Sequence, residues 1–221
     1  MQKEMDALTS LLHDMKKETR NDFCYTVGTL ADATLVLHQC GIGKVNAAVG
    51  AAELIRHYHP DYLISSGVAG GIDDLAQVMN VVASDTLVYH DFYIGEAAED
   101  DMLRPYTADS YLLDKARRLS LVSDTPIHIG QICTGDQFIT DRPTLEDIKR
   151  RYPDGLAVDM ESCAIAHTCR IYDTPFISFR IISDTIGAQQ HIEEYENFWA
   201  DMASRSFHVV RSYLESITQK Q

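Results

Sequence analysis

Two periods of apolar residues alternate along the chain, one typical of amphipathic helices and the other of buried strands. Helical spacing predicts helices over residues 1–17, Lys44–Tyr58, Ser110–Leu119, Pro143–Tyr152, Glu161–Tyr172 and from Glu193 to about Ile217. Short apolar runs predict strands over Thr34–Leu37, Tyr62–Ser65, Val78–Ala83, Thr86–Tyr89, Ile127–Cys133, Leu156–Val158 and Phe176–Ile182. Strands that alternate with helices in this way predict an α/β fold, in which helices cover both faces of a sheet.

Glycine and acidic residues collect where the predicted strands end. These segments are Gly41–Gly43, Gly67–Gly71, Gly135–Asp136, Asp159–Glu161 and Ser183–Asp184. In α/β sheets, ligands usually bind at the carboxyl ends of the strands, so we expect these segments to surround one ligand site. The chain contains no repeat, low-complexity tract or linker, and we therefore interpret residues 1–221 as a single domain.

The charge balance narrows the classes of partner. The chain has 19 basic and 33 acidic residues, which give a formal net charge of −14. Nucleic-acid backbones and anionic membrane surfaces are both bound through clustered Lys and Arg, so we expect neither as a partner. No apolar run reaches the roughly 18 residues of a membrane-spanning helix, and the N-terminus lacks an apolar signal core.

The cysteine and histidine positions argue against a disulfide framework and a metal site. The five cysteines are scattered without a C-x-x-C pair, and the nine histidines show no metal-ligand spacing such as H-E-x-x-H. We therefore expect a reducing, cytoplasmic compartment and neither a metal nor a redox cofactor.

Two acidic strand ends are the strongest candidates for chemistry. In Val158–Ser162 an apolar strand ends where a helix begins, with Glu161 at the junction. Spacing alone favours a carboxylate that stabilises exposed amides at the helix N-terminus, and the alternative is a carboxylate that binds a sugar diol. In Phe179–Asp184 an arginine lies inside an apolar strand that ends in Ser-Asp. Arg180 requires a partner or a polar cleft, because burying an unpaired guanidinium is costly.

The glycine segments do not match the common phosphate-binding patterns. Gly41–Lys44 and Gly67–Gly71 each follow a strand, where glycine permits a close backbone approach or a positive φ. Neither fits the dinucleotide pattern G-x-G-x-x-G or the P-loop pattern G-x-x-x-x-G-K-[ST]. A dinucleotide or ATP site is therefore not supported, and we interpret the segment Tyr89–Asp91 as a polar strand end.

Taken in order, these segments resemble those of the nucleoside phosphorylase/nucleosidase superfamily. The motifs are G-I-G-K at Gly41, G-V-A-G-G at Gly67, Y-H-D at Tyr89, T-G-D-Q-F-I at Thr134, V-D-M-E-S at Val158 and F-R-I-I-S-D at Phe179. The similarity spans nearly the whole chain and is greatest to the 5′-methylthioadenosine/S-adenosylhomocysteine nucleosidases. It implies a three-layer α/β/α fold with a central mixed sheet, phosphorylase/hydrolase-like, and assembly as a homodimer.

The reaction that the resemblance implies is hydrolysis of the N-glycosidic bond of an adenine nucleoside, as in methionine salvage. Water is the co-substrate, and the products are adenine and a 5-thio-ribose. Met1–Met5 resembles the family segment whose last glutamate activates the water, which assigns that role to Glu4. The Ser-Asp pair assigns to Asp184 a proton or hydrogen bond to N7 of the leaving adenine. Such groups suit an oxocarbenium-like transition state with a poor leaving group.

The resemblance also assigns residues to the ribose side of the site. Glu161 would bind the ribose hydroxyls, and Met160 would pack against the sugar and the base. Arg180 matches an arginine near the attacking water and Glu161. Ser183 would orient Asp184.

On the base and 5′ sides, the resemblance implies three contacts and one departure. Phe138 would stack on adenine, Ile139 would offer backbone contacts to the base edge, and Ile42 would line the 5′-thio pocket. Val68 occupies a substrate-binding position where members usually carry Ser or Thr. That hydroxyl helps to bind phosphate in phosphorylases, so Val68 disfavours phosphorolysis.

Two further features depart from the family pattern. The family's first apolar strand lies upstream of the Glu4 segment, where this sequence begins, so we expect the domain to lack it. The loop Phe92–Asp101 is more acidic than the family loop that a partner subunit contributes to the 5′-thio pocket. The identity of the 5′ substituent therefore stays open.

Three functions remain open from the sequence. The combination of Glu4, Glu161 and Asp184 favours a nucleosidase for methylthioadenosine or S-adenosylhomocysteine. The second is a purine nucleoside phosphorylase, or a nucleosidase for another 6-aminopurine nucleoside such as a menaquinone-pathway intermediate. The third is a protein that binds a nucleoside without turning it over.

Overall fold

The structure, a computed structural model, describes residues 2–95, 104–185 and 203–218, without the side chains of residues 2–4, 7 and 203–207. The helices in these ranges are α1 (Gln2–Thr9), α2 (Lys44–Tyr58), α3 (Ser110–Ser120), α4 (Arg142–Arg151), α5 (Ser162–Ile171) and α6 (Ala203–Thr218). The strands are β1 (His13–Arg20), β2 (Phe23–Leu30), β3 (Ala33–His38), β4 (Leu63–Gly71), β5 (Val81–Tyr89), β6 (Tyr106–Thr107), β7 (Ile127–Thr134), β8 (Gly155–Asp159) and β9 (Phe176–Thr185).

The larger sheet is mixed and closes on itself. Six strands follow the order β6-β5-β7-β8-β4-β9, and β5 also pairs with β9. The pairs β4–β9, β5–β7 and β7–β8 are parallel, whereas β4–β8, β5–β6 and β5–β9 are antiparallel. The strands from β5 round to β9 therefore form a closed ring, and the central mixed sheet implied by the resemblance is confirmed.

Three apolar clusters join the helices to the central sheet. One cluster contains Ala47 of α2 and Ile165 of α5, and a second contains Leu112 of α3 and Tyr213 of α6. A smaller third cluster contains Ile148 of α4. Fully burying one such aliphatic side chain contributes about 1.5–3 kcal/mol. Helices α2 and α5 thus pack in one cluster and α3 and α6 in another around the central mixed sheet, in agreement with the α/β/α fold class that the resemblance implies.

The N-terminal region differs from the single helix predicted over residues 1–17. Helix α1 ends at Thr9, and the chain from His13 onwards forms β1, which pairs antiparallel with β2 in a separate sheet ordered β1-β2-β3. The helical spacing continues to Met15 without structural meaning, since that side chain is 50% exposed. Strand β1 is exposed along almost its whole length. It is therefore defined by backbone pairing, and its sequence lacks the alternation of apolar residues that a buried face would produce.

Most other predicted elements recur with shifted ends. Helix α2 spans Lys44–Tyr58 as predicted, and His59, whose φ of 46° is left-handed, caps its C-terminus. The two strands predicted over residues 78–83 and 86–89 are the single strand β5. The predicted C-terminal helix is described as α6, and its predicted start at Glu193 lies outside the described residues.

Strand β4 is paired unequally along its two sides within the described residues. It pairs with β9 along its whole length, but with β8 only at Gly70 and Gly71. Over Leu63–Ala69 the described part of the chain supplies no second backbone ladder. That residues 1–221 form a single domain without the family's first strand stays a prediction.

Two observations concern the cysteines and the possibility of a membrane-spanning helix. All five cysteines are free thiols. None of the helices within the described ranges is long and apolar enough to cross a membrane.

Candidate active site

Pairing between strands brings the carboxyl ends of β4, β7, β8 and β9 together. Gly70 of β4 pairs with Val158 of β8 and with Asp184 of β9. Thr134 of β7 pairs with Asp159 of β8. The acidic and glycine-rich strand ends predicted to surround one site therefore do lie together.

The buried part of this region is a set of polar side chains at the ends of β7, β8 and β9, which we call the site floor. All its members are at most 6% exposed: Thr134, Asp159, Arg180, Ser183 and Asp184. Buried polar groups are stable only when they are hydrogen-bonded, so the partners of these side chains define the geometry of the floor.

A buried ion pair forms the centre of the site floor. Arg180 Nε donates a hydrogen bond of 2.7 Å to Asp159 Oδ2, and both side chains are at most 3% exposed. Arg180 Nη1 donates to the carbonyl oxygen of Phe179 at 3.1 Å. The sequence required a partner or a polar cleft for this arginine, and Asp159 is a partner.

The Ser-Asp pair lies at an irregularity of β9. Ala69 pairs with Ile182 but the next residue, Gly70, pairs with Asp184, so Ser183 is an extra residue without a paired position on β4. Such bulges redirect side chains and are frequent beside active sites. Ser183 Oγ lies 2.6 Å from Asp184 Oδ1 and 3.3 Å from the carbonyl oxygen of Ala69, and its one proton is donated to the nearer acceptor, Asp184.

Glu161 lies above the site floor and is partly buried. Its side chain makes no hydrogen bond to its own helix α5. The interpretation of Glu161 as a carboxylate that stabilises the exposed amides of that helix is therefore wrong. Asp159 Oδ2 instead accepts from the Ser162 amide at the start of α5, at 3.0 Å. Glu161 Oε1 accepts at 2.9 Å from the Gly43 amide, at the N-terminus of α2.

The surroundings of Glu161 raise the pKa of its carboxyl group. Burial, and then the negative charge of Asp159, raise the pKa of the Glu161 carboxyl above its usual range. The positive charge of Arg180 and the hydrogen bond from the Gly43 amide oppose that increase without cancelling it. A carboxylate placed in this way is a strong acceptor for a hydroxyl pair.

Charged and apolar side chains around the opening form a second set, which we call the site rim. Its members come from the loops after β3, β5 and β7: Ile42, Lys44, Asp91, Asp136 and Phe138. Ile42 is 69% exposed and Phe138 is 56% exposed. These are the two exposed apolar side chains that the resemblance assigned to the 5′-thio pocket and the base.

Three charged residues tie the rim loops together. Lys44 Nζ donates to both carboxylate oxygens of Asp91 at 2.7 Å, and the Lys44 amide donates to Asp136 Oδ1 at 2.8 Å. The Asp136 amide donates to Asp91 Oδ2 at 2.8 Å. Burial opposes the charge of Asp91, but the hydrogen bonds from Lys44 and from the Asp136 amide outweigh it, so the pKa of Asp91 lies below its usual range.

Glycine is required in the turn that leads into α2. Gly43 has a φ of 89°, in the region that side chains disfavour, and an added Cβ would lie 3.1 Å from Asp136 Oδ1. The carboxylates of Glu161 and Asp136 both accept from amides at this helix N-terminus, where the helix dipole favours negative charge.

The remaining predicted binding residues differ in burial. Ile139 is 5% exposed and packs in the third apolar cluster, so its side chain anchors the loop that carries Phe138. Met160 is partly buried between Asp159 and Glu161. The buried side chain of Ile139 leaves its backbone as the part that can contact a ligand. The partly exposed side chain of Met160 can itself pack against one.

Val68 packs its side chain with the second apolar cluster, which includes Ile64. The residue beside it, Gly67, faces the arginine of the floor, and an added Cβ there would lie 3.3 Å from Arg180 Nη1. The β4 end therefore presents a bare backbone to Arg180, with no hydroxyl at Val68.

Glu4 lies in α1, at the opposite end of the sequence from the other predicted catalytic residue. Its side chain is outside the described residues, so the role assigned to it stays a prediction. The predicted loop Phe92–Asp101 is described only as far as Gly95.

Within the ranges that the structure describes, no three His, Cys, Asp or Glu side chains are grouped so that they could hold a metal ion. An open depression of about 500 Å³ lies beside the rim, where Arg151 and Asp147 of α4 face His90 and Asp91. None of the predicted catalytic or binding residues lines it.

Sequence reasoning missed the residues that connect the predicted ones. Thr134, Lys44, Asp91 and Asp136 all belong to motifs that were singled out, but they received no role. The signal available was their position, since each is a polar residue at or immediately after a strand end or a glycine turn.

Comparisons with known proteins agree with this geometry. A sequence profile described as the Phosphorylase superfamily matches residues 1–215. A 5′-methylthioadenosine/S-adenosylhomocysteine nucleosidase of Maridesulfovibrio salexigens is 33% identical over 225 residues, which cover 98% of this chain and 96% of the relative.

Solved structures show the same similarity. The nucleosidase of that name from Neisseria meningitidis, in complex with methylthio-immucillin-A, has a TM-score of 0.90 and 30% identity, and the match covers 98% of this chain and 96% of that one. The nucleosidase from Colwellia psychrerythraea, in complex with adenine, has a TM-score of 0.89 and 29% identity, over 98% and 92% of the two chains. The present chain therefore belongs to the phosphorylase superfamily and, within it, to the 5′-methylthioadenosine/S-adenosylhomocysteine nucleosidases.

Proposed function

We propose that this protein hydrolyses the N-glycosidic bond of 5′-methylthioadenosine, S-adenosylhomocysteine or both, and releases adenine and a 5-thio-ribose. The observation that carries the proposal is the site floor, where the buried Asp184 accepts from Ser183 at one strand end and Asp159 pairs with Arg180 at the next. The family relatives bound to adenine and to methylthio-immucillin-A support the choice of an adenine nucleoside.

In the proposed mechanism, acid catalysis comes from Asp184. The carboxyl group delivers a proton, or a hydrogen bond, to N7 of the leaving adenine, so that the base departs without a full negative charge. Ser183 holds the carboxyl in place by its 2.6 Å hydrogen bond. Burial at 2% exposure excludes water from this group and strengthens its interaction with the base.

On the sugar side, Glu161 binds the ribose hydroxyls through a carboxylate that is already fixed by the Gly43 amide. Positive charge develops on the sugar as the bond to adenine breaks, and a nearby carboxylate stabilises it. Arg180 lies beside the position of the attacking water, and Glu4 removes a proton from that water. Met160 packs against the sugar and the base.

At the rim, Phe138 stacks on adenine and Ile42 contacts the 5′ substituent. Both side chains are more than half exposed, so a ligand that covers them buries apolar surface that the fold leaves in water. Ile139 contributes backbone contacts to the base edge.

Hydrolysis is favoured over phosphorolysis by the residue at position 68. A phosphorylase needs donors for a phosphate dianion, and the isopropyl side chain of Val68 offers none and packs with apolar neighbours. Water is therefore the proposed co-substrate, and the proposed reaction uses no metal or redox cofactor.

We also propose a homodimer and a cytoplasmic location. Helix α2 presents an apolar stripe next to the site, in which Val45 is 73% exposed and Val49 is 47% exposed. Contiguous exposed apolar surface is typical of an interface, and five free thiols suit a reducing compartment. Light scattering during size-exclusion chromatography of the protein and of Val49→Glu measures the mass, which we expect to fall to that of one chain in the variant.

The test of the function is adenine release from methylthioadenosine and from S-adenosylhomocysteine in phosphate-free buffer, followed by chromatography. Release that is independent of phosphate, with the free thio-ribose as the second product, is the expected result. Release only in the presence of phosphate, with a ribose 1-phosphate product, would identify a phosphorylase. Tight binding of adenine or methylthioadenosine without any release would identify a binding protein.

A further inference from the structure

We propose that Asp159, itself held by Thr134, is a positioning residue that fixes the orientation of the Arg180 guanidinium in the active site. The proposal rests on the proposed function, because it concerns the group that lies beside the attacking water. Three observations carry it, one on each side of the ion pair and one on the charge balance around Glu161.

The first observation is that both carboxylate oxygens of Asp159 are committed. Oδ2 accepts from Arg180 Nε at 2.7 Å and from the Ser162 amide at 3.0 Å. Oδ1 accepts from Thr134 Oγ1 at 2.5 Å. The carboxylate is thus held by groups from β7, β9 and the start of α5, and it has no freedom to turn away from the guanidinium.

Thr134 can direct its proton in only one way. Its hydroxyl oxygen accepts a hydrogen bond from the Cys163 amide at 3.0 Å, so the hydroxyl proton is left to donate to Asp159. The threonine is fully buried, so this hydroxyl is shielded from bulk solvent. A single methyl-for-hydroxyl exchange at position 134 would therefore release one oxygen of Asp159.

The second observation concerns the opposite side of the guanidinium. Arg180 Nη1 donates to the Phe179 carbonyl oxygen at 3.1 Å, and its face lies against Gly67. An added Cβ at Gly67 would lie 3.3 Å from Nη1 and 3.4 Å from Cζ. The guanidinium is therefore confined between the bare backbone of β4 and the carboxylate of Asp159.

The third observation is electrostatic. Glu161 is surrounded by the Asp159 carboxylate on β8, the Arg180 guanidinium on β9, the Gly43 amide and the Cys40 thiol. Asp159 raises the pKa of Glu161 and Arg180 lowers it. The two charges of the ion pair therefore have opposite effects on the protonation of Glu161. Neutralising Asp159 removes its contribution to the raised pKa of Glu161, while burial still raises that pKa and Arg180 still lowers it.

Four variants separate positioning from simple stabilisation. Asp159→Asn removes the charge, Thr134→Val removes the hydroxyl, and Thr134→Ser keeps it. Ser84→Ala is the matched control, because Ser84 is fully buried and accepts from the Ser178 amide at 2.9 Å. That hydrogen bond does not involve Arg180 or Asp159.

The main measurement is the pH profile of kcat and kcat/KM for adenine release by each variant. We expect Asp159→Asn to lower kcat by about 10- to 100-fold, the loss that corresponds to removing one hydrogen bond between charged groups. Its acid limb in kcat/KM should move to lower pH, because the pKa of Glu161 falls. Thr134→Val should lower kcat by about 3- to 10-fold and Thr134→Ser should restore it, an effect of roughly one hydrogen bond.

Coupling and the control complete the test. The double variant Asp159→Asn/Thr134→Val should be no slower than Asp159→Asn, since both act through the same guanidinium. Ser84→Ala should unfold at a lower temperature but keep the parent kcat and pH profile. Parent kinetics in both Asp159→Asn and Thr134→Val, or an equal loss of kcat in Ser84→Ala, would overturn the proposal.

A second readout does not depend on turnover. In the folded protein the Arg180 Nε–H is buried in its hydrogen bond to Asp159, and we expect slow exchange of this proton with solvent by NMR. Exchange should accelerate in Thr134→Val and in Asp159→Asn but not in Ser84→Ala. If the parent protein releases no adenine, the proposed function fails, and this exchange pattern alone decides the positioning: equal exchange in all variants would overturn it.

Discussion

The site floor and the site rim are built by opposite means from neighbouring stretches of chain. The floor consists of side chains that are at most 6% exposed and are fixed by hydrogen bonds between strand ends. The rim consists of loop residues, among which Ile42 and Phe138 leave more than half of their surface in water. One set is enclosed and charged, and the other is open and partly apolar.

This difference separates chemistry from recognition. A charged group in a dry, preorganised position stabilises a transition state strongly, because it does not have to reorganise during the reaction. An exposed apolar side chain does little until a ligand covers it, and it then contributes to binding in the ground state and the transition state alike. We therefore expect substitutions in the floor to lower kcat, and substitutions in the rim to raise KM.

The largest expected effect is that of Asp184→Asn. The amide cannot donate a proton to adenine, so kcat should fall by about 10²- to 10⁴-fold, the usual contribution of a general acid. Steady-state adenine release measures it. The variant retains the size of the side chain and an oxygen that accepts from Ser183, so circular dichroism and the thermal midpoint should match the parent. A parent kcat in this variant would remove Asp184 from the chemistry.

The next effect concerns Glu161→Gln and its pH dependence. Loss of the charge should lower kcat/KM by about 10²-fold, since a hydrogen bond to a charged group contributes about 1.5–3 kcal/mol. In the parent protein the raised pKa of Glu161 means that the carboxylate protonates above the usual range of glutamate, so activity should fall as pH drops through that value. The acid limb should be absent from the profile of Glu161→Gln. An unchanged limb would assign it to another group.

A smaller effect, on binding alone, is expected for Phe138→Ala. Stacking of an aromatic side chain on a base contributes about 1–3 kcal/mol, so KM should rise by roughly 10-fold with kcat little changed. The free energy of unfolding should stay within about 0.5 kcal/mol of the parent, because the side chain is 56% exposed. Leu121→Ala, at a side chain that is 84% exposed at the end of α3, is the matched control and should change neither constant. A fall in kcat for Phe138→Ala would contradict the expectation that rim residues contribute to binding and not to the chemical step.

The smallest effect is expected for Lys44→Met, which removes the ion pair between Lys44 and Asp91 that connects the rim loops. Its partly exposed ion pair with Asp91 contributes about 1 kcal/mol, so the thermal midpoint should fall by about 2–4 °C and KM should rise a few-fold. Because the folded state lowers the pKa of Asp91, this contribution is present above about pH 4 and is lost as pH falls through the lowered pKa. Thermal melts of both proteins between pH 3 and pH 7 measure it. A difference that persists at the lowest pH would show that packing, not charge, ties the loops.

The floor was only partly predictable from the sequence. The position of Arg180 in an apolar strand predicts that it needs a partner, but Asp159 lies 21 residues away and its spacing gives no sign that it is that partner. The hydroxyl of Thr134 lies 25 residues from the carboxylate that it holds. Strand ends could be located from apolar runs, whereas the register that pairs them is set by the closed sheet.

Local signals decided where sequence reasoning succeeded or failed in the fold. Helix α2 was predicted with its observed ends because glycine precedes it and Pro60 follows it. Strand β1 was mistaken for a helix because His13–Arg20 has no buried face to give it a period of two. Among the described strands, β1 forms a backbone ladder with β2, and no single segment of sequence reveals that pairing.

The most direct test of the account compares single-turnover rates of adenine release at saturating methylthioadenosine for the parent protein, Asp184→Asn and Phe138→Ala. Saturation removes differences in binding, so only the chemical step remains. We predict that Phe138→Ala reacts within about 3-fold of the parent rate, whereas Asp184→Asn is slower by at least about 10²-fold. Equal rates for Asp184→Asn and the parent, or equal losses in the two variants, would contradict the assignment of chemistry to the floor and recognition to the rim.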